Sequence, residues 1–146
     1  MSAKKIEKPK RSFEGMDSAE FVKKWKRAFA ATVPAEVLAE YVDAKGCYLW
    51  HVFTWGKALC LERGAASAAF DKADKEGAFI AEECSFNGGG KNVAYSFRRC
   101  PPELKSADLA EEAEVFIVGK NFEWTYVVTH ETGCGLGPYF AKKENA

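Results

Sequence analysis

The run Phe122–His130, FEWTYVVTH, is the feature that most narrows the fold. Phe122, Trp124, Tyr126, Val128 and His130 alternate with Glu123, Thr125, Val127 and Thr129. Period-two alternation in aromatic and β-branched residues specifies a strand with a buried face. Gly119-Lys120-Asn121 before it is a turn signal, and Glu114–Val118 precedes that turn, so the two runs form an antiparallel hairpin. A second hairpin is expected from Ala78–Phe86 and Asn92–Arg99 around the loop Asn87–Gly90, with Val93, Tyr95 and Phe97 on its buried side. Cys47–Trp55, CYLWHVFTW, reads as another strand. Both of its alternating sets are apolar, which suggests cover on both faces, and Ala58–Glu62 is its returning strand after a turn at Gly56-Lys57.

Helical spacing governs the N-terminal part. Phe21, Val22, Trp25 and Phe29 share one face of a helix over Asp17–Ala30, capped by Asp17 or Ser18. Lys23, Lys24, Lys26 and Arg27 cover the rest, and the aromatic stripe is read as core. Pro34 starts a second helix over about Ala35–Ala44, with Val37, Leu38, Tyr41 and Val42 inward. Gly64 to about Ala73 is Ala-rich and helical, anchored by Phe70. Ser106–Ala113 is a short helical turn. Tyr139-Phe140 is expected to dock back as an aromatic latch.

These elements make an α+β fold: one domain with a largely antiparallel sheet of about five or six strands. The N-terminal helices and the Ala-rich helix pack on one face of that sheet. The expected core contains Trp25, Phe29, Leu49, Phe53, Tyr95, Phe97, Ile117, Trp124, Tyr126 and Val128. A chain of 146 residues has room for one ordinary domain. Residues 1–14 read as a flexible basic tail, 15–140 as the domain and 141–146 as a frayed end. A hydrophobic share of 47% excludes intrinsic disorder for most of the chain. No secretory leader is recognisable, and no stretch approaches the ~20 apolar residues of a membrane span. Cys47, Cys60, Cys84, Cys100 and Cys134 are odd in number and lack a CxxC pair. They read as reduced, mostly buried thiols of a cytoplasmic protein, with no metal and no cofactor implied.

Charge is unevenly placed. Residues 1–30 carry nine Lys/Arg and four Asp/Glu, while the remaining 116 carry twelve and seventeen. The mildly acidic body argues against nucleic acid over the main surface and suits a basic protein partner. Weak nucleic-acid binding through the basic N-terminal segment is the lesser alternative.

Chemistry has few places to sit. The two histidines, His51 and His130, each share a strand face with bulky apolar neighbours. If those strands adjoin, the imidazoles meet across the sheet as an acid–base or metal pair assisted by Cys134, Cys47 or Glu131. The architectural reading, two hydrogen-bonded histidines fixing strand ends, is favoured. Cys47 and His51 lie on one strand face but about 13 Å apart, too far for proton transfer. Cys134 meets His130 only if its Gly-rich loop curls back. Asn87–Gly90 lies between strands and lacks the helix and Lys-Ser/Thr ending of a phosphate loop. A partner surface is expected at Asp71, Asp74, Glu111, Glu112 and Glu131.

Four stretches carry a resemblance: YLWHVFTW at 48–55, CLERGAASAAF at 60–70, FEWTYVVTHE at 122–131 and GPYF at 137–140. Together they resemble a bacterial family of small single-domain proteins classed as a domain of unknown function. The likeness spans about Phe21–Phe140. The WTYV–THE–GPYF combination carries most of its specificity, and it implies no established activity. More loosely, the C-terminal strand with its Trp, Thr-His-Glu and Gly-Pro-Tyr is similar to small immunity proteins of polymorphic toxin systems. The reading that results is a protein-binding module of the immunity type. The alternative is a small enzyme or ligand-binding domain using His51, His130 and Glu131.

Overall fold

The computed structural model describes residues 16–42, 49–54, 56–86, 93–109, 115–129 and 137–143. Helix α1 is Ser18–Phe29. Asp17 caps it, its carboxylate accepting from the Glu20 amide at 2.8 Å, and Glu20 itself sits at the positive end of the helix dipole. The buried face is Phe21, Trp25, Ala28 and Phe29. Helices α2 (Ala35–Tyr41), α3 (His51–Thr54) and α4 (Arg63–Lys72) follow. The strands are β1 (Leu61–Glu62), β2 (Phe79–Phe86), β3 (Val93–Arg99), β4 (Val115–Val118), β5 (Trp124–Val128) and β6 (Tyr139–Lys142). They form one antiparallel sheet in the order β1-β6-β5-β4-β2-β3.

The α+β fold and the antiparallel sheet are as expected. Both hairpin pairings, β2 with β3 and β4 with β5, are present, as is the Phe70-anchored helix. The expected core residues are buried, except Phe97, which is half-buried.

The helices do not share one face, and this corrects the expected layering. Phe79, Ala81, Phe116, Val118, Val127, Tyr139 and Ala141 point to the side of α1 and α3. Their alternates Ala78, Ile80, Val115, Ile117, Tyr126 and Phe140 point to the side of α4. All of β4 and all of β5 are buried. A strand apolar at every position needs cover on both sides, so the molecule has three layers, helix–sheet–helix. Phe21 anchors the first layer, its ring 4.8 Å from Tyr95 and 5.4 Å from Phe97. Ser18 Oγ accepts from the Tyr95 amide at 2.9 Å, tying the start of α1 to β3. Fully burying a ring such as Phe21 contributes about 1.5–3 kcal/mol.

A second correction concerns CYLWHVFTW. Leu49-Trp50 form a turn and His51–Thr54 a helical turn, not a strand. The Val52 and Phe53 amides donate to the Leu49 and Trp50 carbonyls, and the Lys57 and Ala58 amides return to Val52 O at 2.7 and 3.1 Å. A short run apolar at all positions has no period to separate a buried helical turn from a buried strand. Consequently β1, shorter than the expected Ala58–Glu62, pairs with β6 instead of closing a hairpin on this run.

Smaller differences follow from local backbone. Asn121 and Phe122 adopt left-handed φ of 59° and 57°, which breaks the alternation. Phe122 therefore packs with the α1 layer, opposite Trp124 and Tyr126. Tyr139-Phe140 belong to a full strand that continues through Lys142, and the Lys143 amide donates to Glu123 O at 2.9 Å. The ordered chain thus runs past the boundary expected at 140. The expected tail 1–14, the loop Asn87–Gly90 and the residues 144–146 lie outside the described residues.

Candidate functional site

Helix α4 is built of small residues, RGAASAAFDK, so it approaches the sheet closely and sends in one large side chain. The Phe70 ring stacks on Tyr126 at 4.3 Å and 11°, and meets Trp124 edge-on at 5.9 Å. Trp124 in turn stacks on Phe140 at 5.7 Å and 19°. These rings form a continuous aromatic row under the C-terminal half of the helix. Lys75 closes that end: its ammonium donates to Phe70 O at 2.6 Å and Ala73 O at 3.2 Å, and sits 4.4 Å from the Phe70 ring centre. Burial lowers its pKa, and neighbouring Lys105 lowers it further against the pull of Asp71. Cations at a helix C-terminus complement the dipole, which explains a lysine only 4% exposed.

The opposite wall is the β4–β5 turn. The Gly119 amide donates to Trp124 O at 2.8 Å, and the indole of Trp124 lies directly on the Gly119 Cα. No side chain fits there, so this glycine is required by close approach. Lys120 lies along Gly77, which has a φ of 78°.

Between these walls runs an open groove of about 660 Å³. Trp124, Phe140, Ala69 and Ala73 make its floor. Lys72, Lys120, Lys142 and Lys143 stand on its rim. Asp74, Glu76 and Glu123 are interleaved with them. The floor is apolar and the rim carries both signs, an arrangement suited to holding a polypeptide segment.

A smaller hollow of about 280 Å³ lies at the far end of α4, near Ser67, Ser106 and Leu109. Ser67 Oγ and the Tyr126 hydroxyl are 3.1 Å apart in it. Burial raises the Tyr126 pKa against the opposing Ser67 hydrogen bond.

The residues singled out from sequence fall in different places. Asp71 is an internal strut: its carboxylate accepts from the Ser106 amide at 2.7 Å and the Ser106 hydroxyl at 3.0 Å. Asp74 stands on the groove rim and accepts from the Glu76 amide at 3.0 Å. His51 is half-buried in α3, its ring 4.4 Å from that of Trp50. Among the described residues, β5 has β4 and β6 as its neighbours, and His51 stands in the helical turn α3 instead of a strand. His130, Glu131, Cys134, Cys47, Glu111 and Glu112 lie outside the described residues.

The described thiols are held from ionising. Burial, with Glu62 adding to it, pushes the half-buried Cys60 up to about 12. Burial pushes Cys100 up to about 11 against the opposing Lys75 and Arg98. Thiolate character, on which cysteine reactivity depends, is reduced at both. Among the described residues, no three His, Cys, Asp or Glu side chains are grouped to hold a metal ion.

The groove lysines had no signal in the sequence. They come from α4, the β4–β5 turn and β6, and only the fold assembles them. Trp124 is expected in the core and Phe140 in the docking aromatic latch, and the groove is where the two meet the surface.

Among the described residues, no helix is long and apolar enough to cross a membrane. No curated protein and no solved structure matches the chain. A family model matches residues 4–140, a span that takes in the sheet almost to its last strand residue, both helical layers and most of the basic N-terminal segment. The chain belongs to the family described as a domain of unknown function, DUF4275.

Proposed function

We propose that the protein is a cytoplasmic protein-binding module that acts by covering its partner, as an immunity-type inhibitor does. The observation that carries this reading is the groove over Trp124 and Phe140, with an apolar floor and a rim of both charges. Its walls are rigid: a helix end locked by Lys75 on one side, and a turn fixed by Gly119 on Trp124 on the other. A preformed site spends little free energy on ordering when a partner arrives. In this reading basic groups of the partner face Asp74, Glu76 and Glu123.

The test is a groove-filling substitution. Ala69→Arg puts a long side chain across the floor from a half-buried helix position. Wild type immobilised in host lysate is expected to retain a specific polypeptide that Ala69→Arg releases while its thermal midpoint stays unchanged. Identical retention by both proteins overturns the reading.

A further inference from the structure

The groove shares Lys143 with a second concavity, of about 360 Å³, around the strained turn. This one has a different character. Lys24 and Arg27 from α1 meet Lys143 from the end of β6, over a floor of Ala28 and Phe122 and beside Asn121. None of these lining residues is acidic. The left-handed pair Asn121 and Phe122, at φ 59° and 57°, turns the Phe122 ring inward and puts Asn121 at the mouth. Glu20 pairs with Lys24 at 3.0 Å across one helical turn. Such half-exposed pairs are weak and exchange readily for another anion. Arg27 lies in the last turn of α1, where a cation complements the helix dipole.

We propose that Lys24, Arg27 and Lys143 form an anion pocket that anchors a carboxylate of an acidic peptide segment, the same partner chain that lies in the adjoining groove. This inference rests on the groove reading and adds the chemistry of one end of the partner. A guanidinium takes a carboxylate in a two-point hydrogen bond, and two ammonium groups supply point charge around it. A nucleic acid fits less well. Its phosphates would run from the pocket onto a rim carrying Asp74, Glu76 and Glu123. Phe122 is 8% exposed and offers no ring face for base stacking. A polypeptide can present an acid to the pocket and bases to the rim in turn.

The experiment uses the full chain, isotope-labelled, with four probes at low salt: hexaglutamate, hexalysine, a thymidine oligonucleotide and inorganic phosphate. Hexaglutamate is expected to shift the signals of Arg27, Asn121 and Lys143 saturably. Arg27→Glu is expected to weaken that binding by about tenfold or more, with Lys143→Gln giving a smaller loss and both variants folded. The absence of such shifts, shifts that survive Arg27→Glu, or equal binding of phosphate or the oligonucleotide overturns the inference. Hexalysine moving Asp74 and Glu123 while hexaglutamate moves nothing leaves the groove reading standing and removes this one.

Discussion

The indole of Trp25 in α1 donates to the hydroxyl of Thr125 in β5 over 3.2 Å, across 100 residues of sequence. That hydroxyl donates onward to the Ile117 carbonyl at 3.1 Å. One threonine, fully buried, therefore links a helix, the strand beneath it and the next strand. Thr125→Val keeps the shape but leaves the indole N–H without this acceptor. The expected cost is about 1–3 kcal/mol, the usual penalty for orphaning a buried polar group. Urea unfolding checks it: the midpoint falls at an unchanged slope, and Thr125→Ser recovers most of the loss.

Gly119 is the second test. A Cβ placed there would lie 2.6 Å from Cε2 of the Trp124 indole, so the ring must move. Overpacking of this kind costs about 1–3 kcal/mol. Gly119→Ala is expected to lower the melting temperature and to shift the Trp124 indole signal, because the displaced ring is the groove floor. An unchanged signal would show that the hairpin gives way instead.

Two acidic residues, Asp71 in the last turn of α4 and Asp74 just beyond it, have opposite roles. Asp71 holds both the amide and the hydroxyl of Ser106. Its replacement by Ala is expected to cost about 1–2 kcal/mol. Asp74 is exposed and bonds only within its own turn, so Asp74→Ala is expected to cost less than about 1 kcal/mol. Partner retention moves the other way: Asp74→Ala weakens it and Asp71→Ala spares it. Parallel melting and binding measurements on the two variants separate these roles.

The pH dependence follows from the thiols. Cys100 has its folded pKa raised from 9.0 to about 11. The unfolded thiol releases its proton first, so the stability linked to this group is complete below pH 9.0 and is lost as pH climbs toward 11. The expected slope is about 1.4 kcal/mol per pH unit within that window. Cys60 acts in the same direction, reduced by its partial exposure. Lys75 acts oppositely, since its lowered pKa makes burial less costly as pH rises toward 10.5. Reductant-containing urea titrations across this range check the sign, and Cys100→Ala is expected to flatten the curve.

Sequence reasoning read those elements whose pattern has a period. Phe21, Trp25 and Phe29 recur at helical spacing, and Trp124, Tyr126 and Val128 at strand spacing, and the structure places each accordingly. It misread Leu49–Phe53 because Leu49, Trp50, Val52 and Phe53 are all buried, so the run has no polar face to set a phase. The layering was missed for a related reason. Val115–Val118 and Trp124–Val128 are apolar or buried at each step, the mark of a strand covered twice, but the alternation was taken to mean one covered face. Phe122 left its expected face through two left-handed residues that composition does not reveal. As for the candidate site, Asp74 is legible as an exposed acid. The lysines around it are not, being separated by some seventy positions of chain from Lys72 to Lys143.

The position of β6 bears on how the chain reaches this shape. Tyr139–Lys142 lie between β5 and β1, in the interior of the sheet, although they follow every other described strand in the chain. Leu61 and Glu62 take their β6 partners from far downstream. Contacts over such a separation form slowly, so closing this edge of the sheet waits on the segment that carries β6.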